Sequence, residues 1–187
     1  MSTIKIGMIV GSLRKDSINR QLAKAVAKRL PAHMQTEDIP IGELPLYNQD
    51  LDAAMPAPVL AFKQRVESVQ ALLFFTPEYN RSYSGVLKNA IDWASRPSGK
   101  NSWARKPAGI LGTSPSQIGT ALAQEHLRMV LSALDVAVLP QPSIFVQYTE
   151  GLIDAEGRIT NEITAKFIQG FVDRYVAWVE KLAPAAS

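Results

Sequence analysis

Three short polar loops carry the residues with which this chain could do chemistry. The first, residues 11–19 (GSLRKDSIN), places hydroxyls, a guanidinium and an amide at the predicted start of a helix. The unpaired N–H groups and the dipole of a helix start favour a bound phosphate. Ser12, Ser17 and Asn19 can donate hydrogen bonds, and Arg14 can bind two phosphate oxygens. Plain helix caps use the same residue types, so an ordinary cap is the alternative.

The second loop, residues 76–85 (TPEYNRSYSG), follows a strongly apolar segment. Pro77 has a fixed φ and biases Thr76 away from the helical region, so the chain should leave its strand abruptly. Such a turn exposes backbone N–H and C=O groups around a flat space, and these groups could recognise the edge of a ring system. An ordinary turn between a strand and a helix is the alternative.

The third loop, residues 112–116 (GTSPS), is superficially similar to the nucleophile elbow of serine hydrolases but lacks its final glycine. His33 and His126 are the only histidines that could act as a base, and we expect His126 to be a packed or surface residue of a helix. Cysteine is absent, which excludes thiolate chemistry and disulfides. Without paired histidines or an acidic calcium loop, we expect no metal site.

The elements that position these loops can be predicted from the apolar pattern. The 187 residues are 47% hydrophobic and 20% charged, which predicts one folded domain spanning residues 1–187. Apolar strands alternate with helices, which implies an α/β fold with a parallel sheet covered on both faces. The strands are expected near residues 3–10, 34–39, 71–76, 107–113, 136–139 and 144–146, with helices between them. Ligands of such sheets bind beyond the carboxyl ends of the strands, where the three loops lie.

The last helix is predicted over residues 162–182. Its inward-facing residues are expected to be Ile163, Phe167, Phe171, Tyr175, Trp178 and Leu182.

The charge pattern bears on partners and location. The net charge of +3 is not concentrated in a stripe or tail, so we expect no nucleic-acid partner. Residues 96–106 hold four basic and no acidic residues, and are predicted to form either a solvated loop or an anion site. The longest apolar run, residues 71–75, is too short to span a membrane, and the start of the chain lacks a signal-peptide pattern. We therefore expect a cytoplasmic location.

Four segments together resemble a known family. They are GSLR at residues 11–14, S-x-N at 17–19, TPEYN at 76–80 and GVLKNAIDW at 85–93. In this order and at these strand ends they are similar to the NADPH-dependent FMN reductase family, most closely its bacterial chromate/quinone reductase branch. The resemblance covers roughly residues 3 to 180. It implies a flavodoxin-like three-layer sandwich with a five-stranded parallel sheet in the order 2-1-3-4-5 and FMN between strands 1 and 3.

The resemblance also implies roles for particular residues. The FMN phosphate would be held by Ser12, Arg14, Ser17 and Asn19. The flavin ring would be lined, largely by main-chain groups, by Pro77, Glu78, Tyr79 and Asn80, with Ser114 near its pyrimidine side. Family members form homodimers or homotetramers, and Trp93, Trp103 and the helix around His126 are candidate interface elements.

The implied activity is transfer of two electrons from NADPH or NADH through bound FMN to a quinone or similar small acceptor, with chromate and azo compounds as further candidates. No side chain needs to act as a nucleophile or general acid, because the cofactor supplies the redox chemistry. Arg81 or residues 96–106 could attract nucleotide phosphates or anionic acceptors. The alternatives are a flavodoxin-like electron carrier, which the basic charge disfavours, and a ligand-binding module without turnover.

Overall fold

Strands and helices alternate along the chain, as the apolar pattern predicts. The computed structural model describes residues 3–183. The strands are β1 (Ile4–Val10), β2 (Met34–Asp38), β3 (Ala71–Phe75), β4 (Pro107–Ser114), β5 (Ala137–Val138) and β6 (Phe145–Gln147). The helices are α1 (Ile18–Ala27), α2 (Ala57–Ser68), α3 (Gly85–Ala94), α4 (Ala121–Ala133) and α5 (Glu162–Leu182), and a short 3₁₀ turn spans Gln49–Leu51. Each helix returns the chain across the sheet, so consecutive strands can be parallel.

The sheet has the predicted strand order, β2-β1-β3-β4-β5, and every pairing is parallel. The sixth strand is an addition to the five that the family resemblance implies, and it lies where the apolar pattern predicts a strand at residues 144–146. Strand β5 pairs with Pro107 and Ala108 of β4, whereas β6 pairs with residues 112–114 on the same strand. The two short strands therefore share the outer edge of β4. Pro140 and Pro142 lie between them, and proline has no N–H to donate to a ladder.

Apolar residues are buried on both faces of the sheet, which confirms the three-layer α/β architecture. All five residues of β3 are buried, as expected for a central parallel strand. One core cluster joins the sheet to α1 and α5, and the other joins it to α2, α3 and α4. Within residues 3–183, no helix has both the length and the apolarity needed to cross a membrane.

Helix α5 has the predicted bounds but not the whole predicted inward face. Phe171 and Tyr175 are buried and stacked, and the Tyr175 hydroxyl donates to the Leu72 carbonyl at 3.0 Å. Ile163 and Phe167 are 67% and 63% exposed, and Leu182 at the helix end is also exposed. The prediction for these three was wrong because the buried stripe includes Phe171 and Tyr175 but otherwise runs through residues that were not predicted to face inward. The buried residues of the helix are Ile168, Phe171, Val172, Tyr175 and Val179.

The basic stretch at residues 96–106 leads from α3 to the start of β4, at the edge of the sheet opposite the three loops. Two of its cations are engaged within the fold: Arg96 forms an ion pair with Asp52 at 2.9 Å, and Lys106 Nζ donates to the Val69 carbonyl at 2.6 Å. This stretch is therefore not placed to attract substrates to the loops.

The two tryptophans proposed as interface residues belong to the core instead. Trp93 and Trp103 are both fully buried. The indole N–H of Trp103 donates to the Ile91 carbonyl at 3.0 Å, and that of Trp93 donates to the Pro45 carbonyl at 2.7 Å. The interface prediction was wrong for both because each ring is packed inside the fold and each indole N–H is paired there.

Candidate functional site

The three polar loops meet at the carboxyl ends of β1, β3 and β4, which lie side by side in the sheet. They form a crevice lined by Ser12, Arg14, Ser17, Ile18, Asn19, Pro77, Glu78, Tyr79, Thr113, Ser114 and Pro115. Eight of the nine residues predicted for the site are in this crevice. The ninth, Asn80, lines a neighbouring cavity that shares Glu78, Ser114 and Pro115 with it. The parallel sheet thus brings together residues that are about 100 positions apart in the sequence.

One end of the crevice is built by the start of α1. Ser17 is the N-cap, and its Oγ accepts from the Arg20 N–H at 3.2 Å. The N–H groups of Ile18 and Asn19 belong to the first turn and have no acceptor within the helix. Ser12 is buried in the wall of the crevice, whereas Arg14 is exposed at its rim. Hydroxyls, free N–H groups and a cation at one place suit a phosphate group.

Asn19 has a more specific structural role than that of a hydrogen-bond donor at a helix start. Its side-chain amide donates to the Thr113 carbonyl at 3.0 Å and accepts from the Thr113 N–H at 3.0 Å. Both polar atoms of the side chain are therefore engaged with β4. The side chain ties α1 to the third loop, which leaves the backbone N–H and the second hydrogen of Nδ2 as its free donors.

The loop after β3 is a tight hairpin rather than an open turn. Tyr79 N–H donates to the Ser82 carbonyl at 2.9 Å, and Ser82 N–H donates to the Tyr79 carbonyl at 3.0 Å. The two residues between them, Asn80 and Arg81, have φ of 50° and 66°. Asparagine tolerates this left-handed conformation, but for arginine it costs on the order of 1 kcal/mol. The hairpin holds half-exposed Tyr79 at the mouth of the crevice.

The side chain of Glu78 forms its hydrogen bond with a different element, helix α4. Its side chain is only 9% exposed, and its Oε2 accepts from the Ala123 N–H in the first turn of α4 at 3.1 Å. The other carboxylate oxygen lies 3.7 Å from Arg81 Nη1. Sequence reasoning considered only the main chain of this residue. Its side-chain partner could not be found from spacing because it lies 45 residues further along the chain.

The start of α3 joins the first two loops. The Ser84 hydroxyl donates to the Gly11 carbonyl at 2.6 Å, while its oxygen accepts from the Leu87 N–H. Burial raises the pKa of the neighbouring Tyr83 phenol, an effect that Lys88 opposes and Asp92 reinforces. The phenol therefore stays protonated around neutral pH.

The GVLKNAIDW segment has a structural role that sequence reasoning missed. The Asn89 side chain donates to the Pro45 carbonyl at 2.9 Å and accepts from the Tyr47 N–H at 2.7 Å. Trp93 donates to the same Pro45 carbonyl and packs edge-on against the Tyr47 ring. These two motif residues thus brace the proline-rich segment between β2 and α2.

The third loop is shaped by close packing. A Cβ atom at Gly112 would lie 2.1 Å from Thr120 Oγ1 and 2.3 Å from the Thr76 carbonyl oxygen, so no other residue fits. The Ser114 hydroxyl donates to the Gly119 carbonyl. The sequence predicts His126 to be either a packed or a surface residue of a helix, and it is a surface residue. Its Nδ1 lies 3.1 Å from Ser82 Oγ and not beside Ser114.

Comparison with known proteins identifies a family and close structural relatives. Residues 4–151 match the profile of the NADPH-dependent FMN reductase family. A 2-hydroxy-1,4-benzoquinone reductase from Burkholderia sp. is 51% identical over 94% of this chain and 96% of its own length. A quinone reductase from Pseudomonas putida is 40% identical over 94% of each chain. The solved structure of FerB, a flavoenzyme NAD(P)H:(acceptor) oxidoreductase from Paracoccus denitrificans, superposes with a TM-score of 0.93 and 47% identity, covering 97% of this chain and all of that one.

Proposed function

Because the chain belongs to the NADPH-dependent FMN reductase family, we propose that it acts as a single FMN-binding domain that oxidises NAD(P)H and reduces quinones. The observation that carries the assignment of the site is the crevice at the carboxyl ends of β1, β3 and β4. It combines an anion-binding helix start with a loop of exposed backbone groups, which are the two things that a phosphate-bearing flavin requires.

The residues at the start of α1 would hold the FMN phosphate. Ser12 and Ser17 supply hydroxyls, Ile18 and Asn19 supply free N–H groups, and Arg14 supplies the positive charge. Carboxylates do not oppose this assignment: Asp16 is exposed and does not line the crevice, and the Glu78 carboxylate is directed to α4. The donor set therefore fits a phosphate dianion.

The hairpin after β3 would line the ring. Pro77 has no N–H, and the Tyr79 N–H donates to Ser82. The backbone N–H groups of Glu78 and Asn80 have no partner among the described residues, so both could donate to a ligand. Ser114 completes the wall on the β4 side. When bound, FMN supplies the two-electron chemistry between NAD(P)H and the acceptor. Preorganised N–H groups would stabilise the negative charge of the reduced ring.

We infer that the acceptors are small quinones, since the relatives named above are quinone reductases. The Arg81 side chain is 65% exposed beside the cavity next to the crevice, where it would attract anionic acceptors or nucleotide phosphates. Chromate and azo compounds are further proposed acceptors.

The visible spectrum of the purified protein tests this function. We expect a flavin spectrum after purification or after addition of FMN. NADPH should bleach it without oxygen, and a soluble benzoquinone should restore it. A protein that takes up no FMN would contradict the proposal and favour a binding module. Flavin reduction without steady-state NADPH oxidation in the presence of quinone would indicate an electron carrier instead.

The oligomeric state and location are separate proposals. We propose a homodimer or homotetramer because large apolar side chains are exposed on α5 and β6, with Phe145 and Phe167 lining one groove. Sedimentation equilibrium should give two or four times the monomer mass, and a monomer would contradict this. A cytoplasmic location fits a reductase that draws on the cell's NAD(P)H, and fractionation of the host cell would check it.

A further inference from the structure

The side chain of Glu78 links the proposed ring-binding hairpin to a different layer of the molecule. The hairpin, residues 79–82, is strained at Arg81 and has only two backbone hydrogen bonds of its own. Positive φ at both central residues is common in two-residue hairpin turns, but an arginine at the second of them is disfavoured. Contacts from elsewhere in the fold add to the stability of this conformation and set its position.

Helix α4 provides these contacts. Its N-cap, Thr120, makes no capping hydrogen bond with its side chain, so the first-turn N–H groups need an external acceptor. The Glu78 carboxylate is this acceptor, because it accepts from the Ala123 N–H. Its negative charge also interacts favourably with the positive end of the helix dipole. A second contact joins the same two elements, because His126 Nδ1 lies 3.1 Å from Ser82 Oγ.

Helix α4 is itself held against the edge of the sheet. Gln124 Nε2 donates to the Ile144 carbonyl at 2.9 Å, and Arg128 Nη1 donates to the Leu139 carbonyl at 2.8 Å. Its apolar face, including Leu127 and Leu131, is buried in the core. A hairpin bonded to this helix is therefore bonded to a rigid support.

We propose that Glu78 is a positioning residue for flavin binding: its carboxylate caps α4 and thereby places the backbone of residues 77–80 against the ring. This inference rests on the proposed function, because it assumes that the hairpin lines the ring. We attribute this positioning to the hydrogen bond between the Glu78 carboxylate and the Ala123 N–H. The ion pair with Arg81 contributes less, because its atoms are 3.7 Å apart and the arginine side chain is mostly exposed.

The test compares Glu78→Ala and Glu78→Gln with wild type in titrations of FMN and of riboflavin, which lacks the phosphate. We expect the dissociation constants of both flavins to rise roughly 10-fold in Glu78→Ala, as for loss of one hydrogen bond to a charged group. Glu78→Gln is isosteric and keeps an oxygen that can accept from Ala123, so its affinities should stay within about 3-fold of wild type. The matched control is Glu125→Gln, an exposed carboxylate of α4 that should leave both affinities unchanged.

Three results would overturn the inference. Glu78→Ala could bind both flavins as wild type does while unfolding at a lower temperature, which would make the cap merely structural. The glutamine variant could be as weak as the alanine variant, or only FMN affinity could fall while riboflavin affinity is kept. Failure of the wild-type protein to bind any flavin would instead refute the proposed function itself, so the two failures are distinguishable.

Discussion

Single residues at the crevice are of two kinds: some have side chains that would contact a bound flavin, and others form hydrogen bonds that position their neighbours. Arg14 is exposed at the rim, where it could turn toward a phosphate, whereas the Asn19 side chain is paired with Thr113 through both its oxygen and its nitrogen. Glu78 resembles Asn19 in this respect, because its carboxylate is bonded to another element. A side chain engaged in this way is held in one position and fixes the backbone next to it.

Replacement of Arg14 by alanine should weaken FMN binding by about 1–3 kcal/mol, the range for a hydrogen bond to a charged group. Riboflavin affinity should not change, because the lost partner is the phosphate. The neighbouring cation Lys15 does not line the crevice, so Lys15→Ala is the control and should bind FMN as wild type does. Fluorescence titration measures these dissociation constants, and unchanged FMN affinity in Arg14→Ala would contradict the phosphate assignment.

Replacement of Arg81 by asparagine should separate charge from conformation. Asparagine adopts the left-handed φ of 66° more readily than arginine does. The free energy of unfolding should therefore stay the same or rise by about 1 kcal/mol. Loss of the cation should raise the KM for NADPH, and the difference from wild type should shrink with added salt. Steady-state kinetics at two ionic strengths check this. A KM that does not respond to the substitution would show that Arg81 makes no contact with the nucleotide.

At the scale of elements, a buried lysine on the side of the molecule away from the crevice joins α2 to the end of α3 and the segment that follows it. Lys63 of α2 donates to the Ala94 and Lys100 carbonyls at 3.0 and 2.9 Å and to Ser102 Oγ at 2.7 Å. It caps the last turn of α3, where a positive charge is favoured. Burial lowers the pKa of Lys63, an effect that Glu67 opposes and Lys100 reinforces.

Replacement of Lys63 by methionine should lower the free energy of unfolding by about 2 kcal/mol, because three acceptors, two of them buried, lose their donor. Urea unfolding measures this loss, and Lys166→Met on the exposed face of α5 is the control. Since the folded pKa lies below the unfolded one, the unfolded chain binds more protons in the alkaline range between the two values. The stability of wild type relative to Lys63→Met should therefore rise with pH there, and a fall would contradict the lowered pKa.

At the scale of the whole molecule, all proposed chemistry takes place at one edge of the sheet. NAD(P)H and the acceptor would reach the same open crevice between the hairpin and the third loop. Two substrates that use one face in turn should give parallel lines in double-reciprocal plots with NADPH and a benzoquinone varied together. Intersecting lines would show that both substrates are bound together, and would contradict this use of the site.

The local pattern was sufficient for the elements and for the location of the site. Apolar runs and their spacing predicted the strands, and the loops after three of them held the residues of the crevice. Helix α5 shows the limit of this reasoning: Ile163 and Phe167 are apolar at plausible spacing, yet they lie outside the buried stripe. Which face of a helix is covered depends on neighbours that a periodic pattern does not specify.

The elements and the loops that form the crevice could be predicted from the sequence alone, because residue type and periodicity are local properties. Strand order followed from the family resemblance, which rests on the order of the motifs. Only the tertiary structure decided that Asn19 serves β4, that Glu78 caps α4, that Trp93 and Trp103 are core residues and that residues 96–106 lie opposite the crevice. Each of these roles depends on a partner dozens of residues away. Such partners are chosen by the packing of whole layers, and a polar group taken out of water pairs with whatever donor or acceptor that packing brings within reach.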